Sequence, residues 1–381
     1  MTRLTAEWLA RSETQTVCSV LVDAGFQALF VGGCVRNTLL GAPVSDIDIA
    51  TDARPDQVIE ISQKAGLHAV PTGIDHGTIT VIANHIPHEI TTFRRDVETD
   101  GRRAVVAYSD TPEEDAHRRD FTMNALYATP LGDVIDPLGG LTDLKARKVR
   151  FIDDAHARIK EDYLRILRFF RFHAWYGDPN EGMEPEGLAA CAENSAGIET
   201  LSGERIGAEV KKLLSAADPA PSVAAMEQAG VLGQVLPGAT AKTLPILVHV
   251  EEHQPSDPIR RLAALGGEDA ARRLKLSRAE AKRLALLRGA IGSSVPPAEL
   301  AYRENPQLAH DVVLLRWASF ETPPPADWQA QIDAGQAAEF PIKAADLMPE
   351  LSGPALGARL KQLEQRWIDS GFMLTRAELL A

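Results

Sequence analysis

Two aspartates one residue apart, Asp46 and Asp48, follow a paired-glycine turn, Gly32-Gly33, with Arg36 one turn beyond the glycines. Alternate residues of an extended run project from one face, so the two carboxylates form a hard-oxygen pair suited to divalent ions. Adjacent glycines let the backbone approach a ligand closely, and N–H groups that open a helix suit phosphate oxygens. Arg36 adds a charged donor. The combined chemistry is an in-line displacement on a polyphosphate, in which bound metal activates a hydroxyl and neutralises departing pyrophosphate. A glycine pair alone is an ordinary turn and an alternating aspartate pair alone is an ordinary edge strand. About a dozen residues apart, they become specific.

Two more constellations carry chemistry. In His117-Arg118-Arg119-Asp120-Phe121-Thr122-Met123-Asn124, the arginines offer planar donors for a triphosphate and the aspartate an acceptor for a ribose hydroxyl. In Glu161-Asp162-Tyr163-Leu164-Arg165-Ile166-Leu167-Arg168-Phe169-Phe170-Arg171, helical spacing places Asp162 and Arg165 on one face, with Arg168 and Arg171 continuing along it. Cytosine and adenine both show an amino donor beside a ring-nitrogen acceptor, whereas uracil and guanine show a carbonyl beside an N–H. An aspartate acceptor next to an arginine donor therefore accepts C and A and mismatches U and G, without a nucleic acid template.

Gly-Gly-x-x-Arg followed by Asp-x-Asp resembles the nucleotidyltransferase superfamily related to DNA polymerase β. Arg-Arg-Asp-Phe-Thr-x-Asn-Ala and Glu-Asp-x-x-Arg narrow the resemblance to the class II CCA tRNA nucleotidyltransferases and the related bacterial poly(A) polymerases. The resemblance implies a polymerase β-like α/β head followed by an all-α neck, body and tail. It implies Mg2+ held by Asp46 and Asp48, with Glu89 as a third catalytic carboxylate, and CTP, ATP and tRNA as substrates. Gly32, Gly33, Arg36 and Arg119 then cradle the triphosphate, Asp120 and Asn124 orient the ribose, and Asp162 and Arg165 select the base beside Arg168 and Arg171.

Further segments fit the same family. Asp136-Pro137-x-Gly139-Gly140 resembles its head-to-neck connection, and Leu201-Ser202-Gly203-Glu204-Arg205 resembles the neck motif that steadies the selecting helix, Ser202 being also a natural N-cap. Pro71 to Thr78 and the strand His88 to Phe93 resemble CCA-adding members rather than poly(A) polymerases. The charged excursion Arg94 to Asp110 occupies the place of the loop needed to add the terminal A, and its full length favours complete CCA addition over CC-only addition. Asn37 departs from the family, which carries Asp after the motif arginine. A poly(A) polymerase would add many A residues and carry a basic C-terminal tail, unlike 362–381. A non-catalytic RNA-binding protein is the alternative of a different class. His76 and the pair His310-Asp311 lack companion metal ligands at suitable spacing and read as structural.

The elements that must position these residues follow from periodicity. Short β-branched runs at Ala28 to Val31, Asp46 to Ala50, Thr78 to Ala83 and His88 to Phe93 predict strands of one sheet. Helices are predicted at Ala6 to Ala24 and Arg54 to Ala65. Beyond residue 140 the strand signal stops and apolar residues recur at helical spacing in Ile159 to Trp175, Gly207 to Ser215 and Val223 to Ala229. The expected division is a nucleotidyltransferase head over 1–140, a nucleotide-selecting neck over 141–215, and a tRNA-binding body and tail over 216–381.

The 381 residues are 45% hydrophobic and 24% charged, with a formal net charge of -13. The length predicts more than one compact unit. Three scattered cysteines predict neither a disulfide framework nor a zinc site, and suit a reducing cytoplasm. The first 14 residues have no leader-like apolar run, and no stretch is long and apolar enough for a membrane span. The acidic total excludes indiscriminate polyanion binding. It does not exclude RNA, because residues 145–173 carry a local net charge of +5 and residues 258–288 one of +6, enough for a confined path of phosphate contacts.

Overall fold

The computed structural model describes residues 2–95, 107–251, 254–348 and 350–381. They form two compact units, one of Met1–Leu201 with Ala229–Val231 and the other of Ser202–Gln228 with Leu232–Ala381.

The first unit is built on nine strands: β1 (Leu29–Val31), β2 (Asp48–Thr51), β3 (His68–Gly73), β4 (Thr78–Ala83), β5 (Ile86–Thr92), β6 (Arg94–Arg95), β7 (Ala107–Tyr108), β8 (Tyr127–Ala128) and β9 (Val134–Ile135). Seven make one sheet in the order β3-β4-β5-β2-β1-β8-β9, and β6 pairs separately with β7. Only β2 and β5 run parallel in that sheet, with Asp48 opposite Glu89; the other pairs are antiparallel. The strand predicted over Thr78 to Ala83 is β4, in which alternate residues Ile79, Val81 and Ala83 are buried. Strand β3 was not predicted. It lies at the sheet edge, and its register against β4 shifts between Val70 and Gly73, the stretch that holds Pro71, which has no N–H to donate.

Three predicted elements differ in detail. The single helix expected over Ala6 to Ala24 is two, Glu7–Ala10 and Ser12–Asp23, because Arg11 is extended between them at ψ 135°. Strand β2 begins at Asp48, so Asp46 stands just outside the ladder with its carboxylate accepting from Ser45 Oγ at 2.8 Å. The helix expected over Ile159 to Trp175 breaks into Ala155–Glu161 and Leu164–Tyr176, with Asp162 extended at φ -155° and ψ 103°. Asp162 Oδ1 accepts from the Leu164 N–H at 3.1 Å. This local side-chain bond gives the backbone an alternative to continued helix.

Helix Leu164–Tyr176 buries Ile166, Leu167, Phe169, Phe170 and Phe172. Phe121 packs against Phe151 and Phe172 at ring separations of 5.0 and 4.9 Å, and Phe151 stacks on Phe169 at 5.3 Å. Such aromatic pairs add about 0.5–1.5 kcal/mol each beyond area burial. They fix the arginine-bearing helix against the Arg119-Asp120-Phe121 segment.

The regular elements of the second unit's described residues are helices, with one isolated bridge between Ala239 and Gly266, and among the described residues no helix is long and apolar enough to cross a membrane. Its interior corrects the reading of the basic stripe at 258–288. Arg260 and Arg261 are 1% and 2% exposed. Arg260 pairs with Glu251 and Asp311, while Arg261 pairs with Glu251 and donates to the Leu214, Ala216 and Ala217 carbonyls. Arg283 bridges Asp257 and Asp311, and Arg288 donates to the carbonyls of Gly267, Gly266 and Leu262. These four arginines hold helices together. The surface charge of the stripe rests on Arg272, Arg273, Lys275, Arg278 and Lys282.

Candidate active site

Gly32 closes β1 at φ 69° and ψ -116°, a left-handed turn open to glycine, and Gly33 begins the helix Gly33–Leu40. The helix stops at Gly41, φ 67°. A side chain at Gly32 would put its Cβ 3.2 Å from Arg119 Nη1, so the turn and the arginine already touch closely.

From this turn a continuous network runs through the predicted residues. Arg36, 6% exposed, donates through Nη1 to Asn124 Oδ1, through Nε and Nη2 to Asn37 Oδ1 at 3.1 and 2.8 Å, and through Nη2 to Tyr176 Oη at 2.9 Å. Asn124 Nδ2 donates to Asp120 Oδ1 at 2.8 Å, which also accepts from the Phe121 N–H at 2.9 Å. Arg168 Nε donates to Asp120 Oδ2 at 2.7 Å. Burial works against the Asp120 charge, but Arg168, Asn124 and the Phe121 N–H outweigh it and hold the carboxyl below its ordinary value. Gly32, Gly33, Arg36, Arg119, Asp120, Asn124 and Arg168 are thus brought together. Asp120 and Asn124, expected to face a ribose, are bonded to each other and to the two flanking arginines.

The carboxylates lie along the β2–β5 pair. Ile47, between Asp46 and Asp48, is buried, and its carbonyl accepts from the Glu89 N–H at 3.2 Å, so parallel pairing reaches between the aspartates. Burial raises the half-buried Asp48 carboxyl to about 6; Glu89 adds the next push and Arg119 pulls the other way. This accumulation of hard oxygen donors suits a divalent cation. Among the described residues, no group of three or more His, Cys, Asp or Glu side chains is arranged to hold one.

The residues expected to select the base are arranged differently from the sequence expectation. Because the helix breaks at Asp162, Arg165 reaches back along the preceding turn to Glu161 and donates to the carbonyls of Arg158 at 2.8 Å and Arg118 at 3.2 Å. Arg171 lies 4.6 Å from the centre of the Phe172 ring. Asp136 accepts from the Gly140 and Leu141 N–H groups at 2.7 and 3.0 Å, capping Gly140–Lys145, and Asp143 joins Thr122 to Arg150. Ser202 caps Gly203–Leu214. The loop assigned to terminal A addition falls largely on 96–106, outside the described residues; at its root Arg94 pairs with Tyr108 and Arg95 with Ala107.

Sequence reasoning missed two residues of this network. Tyr176 ends the arginine-bearing helix and follows Phe172 by one turn. Asp115 precedes Arg119 by four residues, a spacing that signals an ion pair. In the His310-Asp311 pair, Asp311 is fully buried between Arg260 and Arg283, and His310 packs on Trp328 at 4.9 Å.

Residues 28–150 match the family described as Poly A polymerase head domain, and residues 182–243 match one described as "Probable RNA and SrmB- binding site of polymerase A". The human mitochondrial CCA tRNA nucleotidyltransferase 1 is 33% identical over 96% of this chain and 88% of its own. A CCA-adding enzyme of Leuconostoc citreum is 38% identical over 64% of this chain and 59% of its own. Among solved structures, the Bacillus stearothermophilus CCA-adding enzyme in complex with CTP superimposes with a TM-score of 0.72 at 25% identity, covering 94% of this chain and 92% of that one. With the glycine turn, the paired aspartates and the arginine network in one unit and the similarity running nearly end to end, the chain belongs to the CCA tRNA nucleotidyltransferase family.

Proposed function

We infer that this protein adds C, C and A to the 3′ end of tRNA from CTP and ATP, releasing pyrophosphate and using no nucleic acid template. The observation that carries this reading is the contact of Arg119 with the Gly32 turn, within electrostatic reach of Asp48. Asp46 and Asp48 hold Mg2+, and Glu89 supplies a third negative charge alongside. When bound, the metal activates the attacking 3′-hydroxyl and offsets charge on the departing pyrophosphate. The Gly32–Gly33 turn receives phosphate oxygens at the start of its helix, while Arg36 and Arg119 counter the triphosphate charge. Asp120 and Asn124 orient the ribose, and Arg168 keeps the Asp120 carboxylate ionised.

Asp162 and Arg165 are assigned base selection, with Arg168 and Arg171 on the helix of Arg165. In this structure Arg165 is held by Glu161, so pairing with a base requires it to leave that carboxylate. In functional terms the chain divides into a head over 1–140, a selecting neck over 141–215 and a tRNA-holding part over 216–381. Duplex RNA is gripped by shape and backbone, which suits the exposed lysines and arginines of 272–282. Cys18, Cys34 and Cys191 are buried free thiols, which supports a place in the reducing cytoplasm.

The test is incubation with Mg2+, each labelled nucleoside triphosphate and tRNA truncated before CCA. Addition of C, C and A, with none from UTP or GTP, is expected. An A ladder indicates poly(A) polymerase activity, arrest after two C residues indicates CC addition, and no incorporation leaves an RNA-binding protein. Asp46→Ala and Asp48→Ala are each expected to abolish incorporation while tRNA affinity persists.

A further inference from the structure

Arg119 is held by one buried carboxylate, that of Asp115. Asp115 is 4% exposed, and its Oδ2 accepts from Arg119 Nη2 at 2.9 Å, Arg119 Nε at 3.2 Å and the Tyr127 hydroxyl at 2.8 Å. Its Oδ1 accepts from the Arg94 N–H at 3.2 Å, at the start of β6. Arg119 Nε also reaches Tyr127 Oη at 3.3 Å, and its guanidinium lies 5.4 Å from the centre of that ring. Tyr127 is fully buried in β8, beside β1 and its glycine turn.

The division of the guanidinium is informative. Nε and Nη2 face Asp115, whereas Nη1 is the nitrogen that a Gly32 side chain would meet at 3.2 Å. A planar fork bound along one edge by a fixed carboxylate has its remaining nitrogen set in direction. Burial opposes the Asp115 charge, but Arg119 and Tyr127 overcome it and hold the carboxyl below its ordinary value; the same contacts raise Arg119.

We propose that Asp115 is a positioning residue for nucleotide binding: with Tyr127 it fixes the Arg119 fork so that Nη1 is presented to the triphosphate at the Gly32–Gly33 turn. The inference rests on the triphosphate role proposed for Arg119. Asp115 touches no substrate. Because the arginine addresses phosphates and not the base, loss of its anchor weakens CTP, ATP and inorganic tripolyphosphate alike.

The experiment measures equilibrium binding of CTP, ATP and tripolyphosphate, with Mg2+, to the full chain and to Asp115→Asn, Arg119→Ala and the double variant, with KM and kcat for addition to tRNA. Asp115→Asn is expected to weaken all three ligands about tenfold by the same factor, to raise KM for CTP and ATP equally, and to leave tRNA affinity unchanged. The double variant should bind no more weakly than Arg119→Ala. Additive losses, a loss confined to one base, or wild-type binding in Asp115→Asn overturns the proposal. If Asp115→Asn does not fold, Tyr127→Phe decides: a smaller loss common to the three ligands supports the anchor, and unchanged binding rejects it. If Arg119→Ala itself binds all three normally, the triphosphate role of Arg119 fails instead, and Asp115 has nothing to position.

Discussion

Arg36 lies over the Tyr176 ring, its guanidinium carbon 4.1 Å from the ring centre, while its Nη2 donates to the Tyr176 hydroxyl at 2.9 Å. The same guanidinium carbon is 5.1 Å from the Phe172 ring centre. One arginine therefore joins the helix behind the glycine turn to the helix Leu164–Tyr176, which carries Arg165, Arg168 and Arg171.

This relationship predicts a graded response at Tyr176. Tyr176→Phe keeps the cation–π surface and loses one hydroxyl acceptor; Tyr176→Ala loses both. A cation–π contact contributes about 0.5–2 kcal/mol. Tyr176→Ala is expected to raise KM for CTP and ATP roughly tenfold, about 1.4 kcal/mol, with Tyr176→Phe between it and wild type. Steady-state kinetics with truncated tRNA measure this. Equal KM values in the three proteins refute the coupling.

The buried ion cluster of the second unit predicts a stability effect without a role in chemistry. Asp311 is fully buried and accepts from Arg260 Nη1 at 2.9 Å, Arg283 Nη2 at 2.6 Å and Gln307 Nε2 at 3.0 Å. Asp311→Ala leaves Arg260 buried with only Glu251 as a carboxylate partner. Removing one member of a buried pair costs about 3–5 kcal/mol. Thermal unfolding of the second unit is expected to fall by ~10 °C, using about 2–4 °C per kcal/mol for a unit of this size. A shift under ~2 °C would contradict the assignment.

The surface left after this internal use of arginine predicts where RNA is held. Arg273, Lys275, Arg278 and Lys282 are exposed, whereas Arg260 and Arg261 are not. Changing the four exposed residues to Gln should weaken tRNA binding and flatten its salt dependence by about one unit of log–log slope for each phosphate no longer neutralised. KM for CTP should stay unchanged. An unaltered salt slope would place the RNA elsewhere.

What could be read in the sequence follows a physical line. The Gly32–Gly33 turn, Asp46, Asp48 and the Arg119-Asp120 segment were legible because their chemistry demands particular residue types at short spacing. Strand β4 was legible because its β-branched run Thr78-Ile79-Thr80-Val81-Ile82 suits a pleated, half-buried surface. Arg260 and Arg261 misled because net charge along a chain does not distinguish an arginine in solvent from one spent on Glu251. Asp115 was hidden in Glu113-Glu114-Asp115, which resembles a solvated helix start; only the positions of Tyr127 and β6 bury its third member. The break at Asp162 was missed because apolar spacing continues across it, while the competing side-chain bond to the Leu164 N–H lies outside any periodicity.

The resemblance implies Asp at position 37, and the environment of Asn37 shows what that change would do. Its Oδ1 accepts two bonds from Arg36, and its Nδ2 donates to the Pro43 carbonyl at 2.7 Å near the surface. The Arg36 contacts are already charge-assisted through the guanidinium; Asn37→Asp would add the opposite charge on the acceptor and make them an ion pair. It would also lose the donor to Pro43, a carbonyl that water can reach. Burial disfavours the Arg36 charge more than its neighbours support it, holding its pKa below the ordinary value, so a carboxylate beside it adds compensation where compensation is short. The balance favours the substitution by about 1 kcal/mol. Asn37→Asp should therefore raise the melting temperature of the first unit by ~2–4 °C and leave nucleotide KM within a few-fold of wild type. A lower melting temperature would mean that the Pro43 bond contributes more than the added charge.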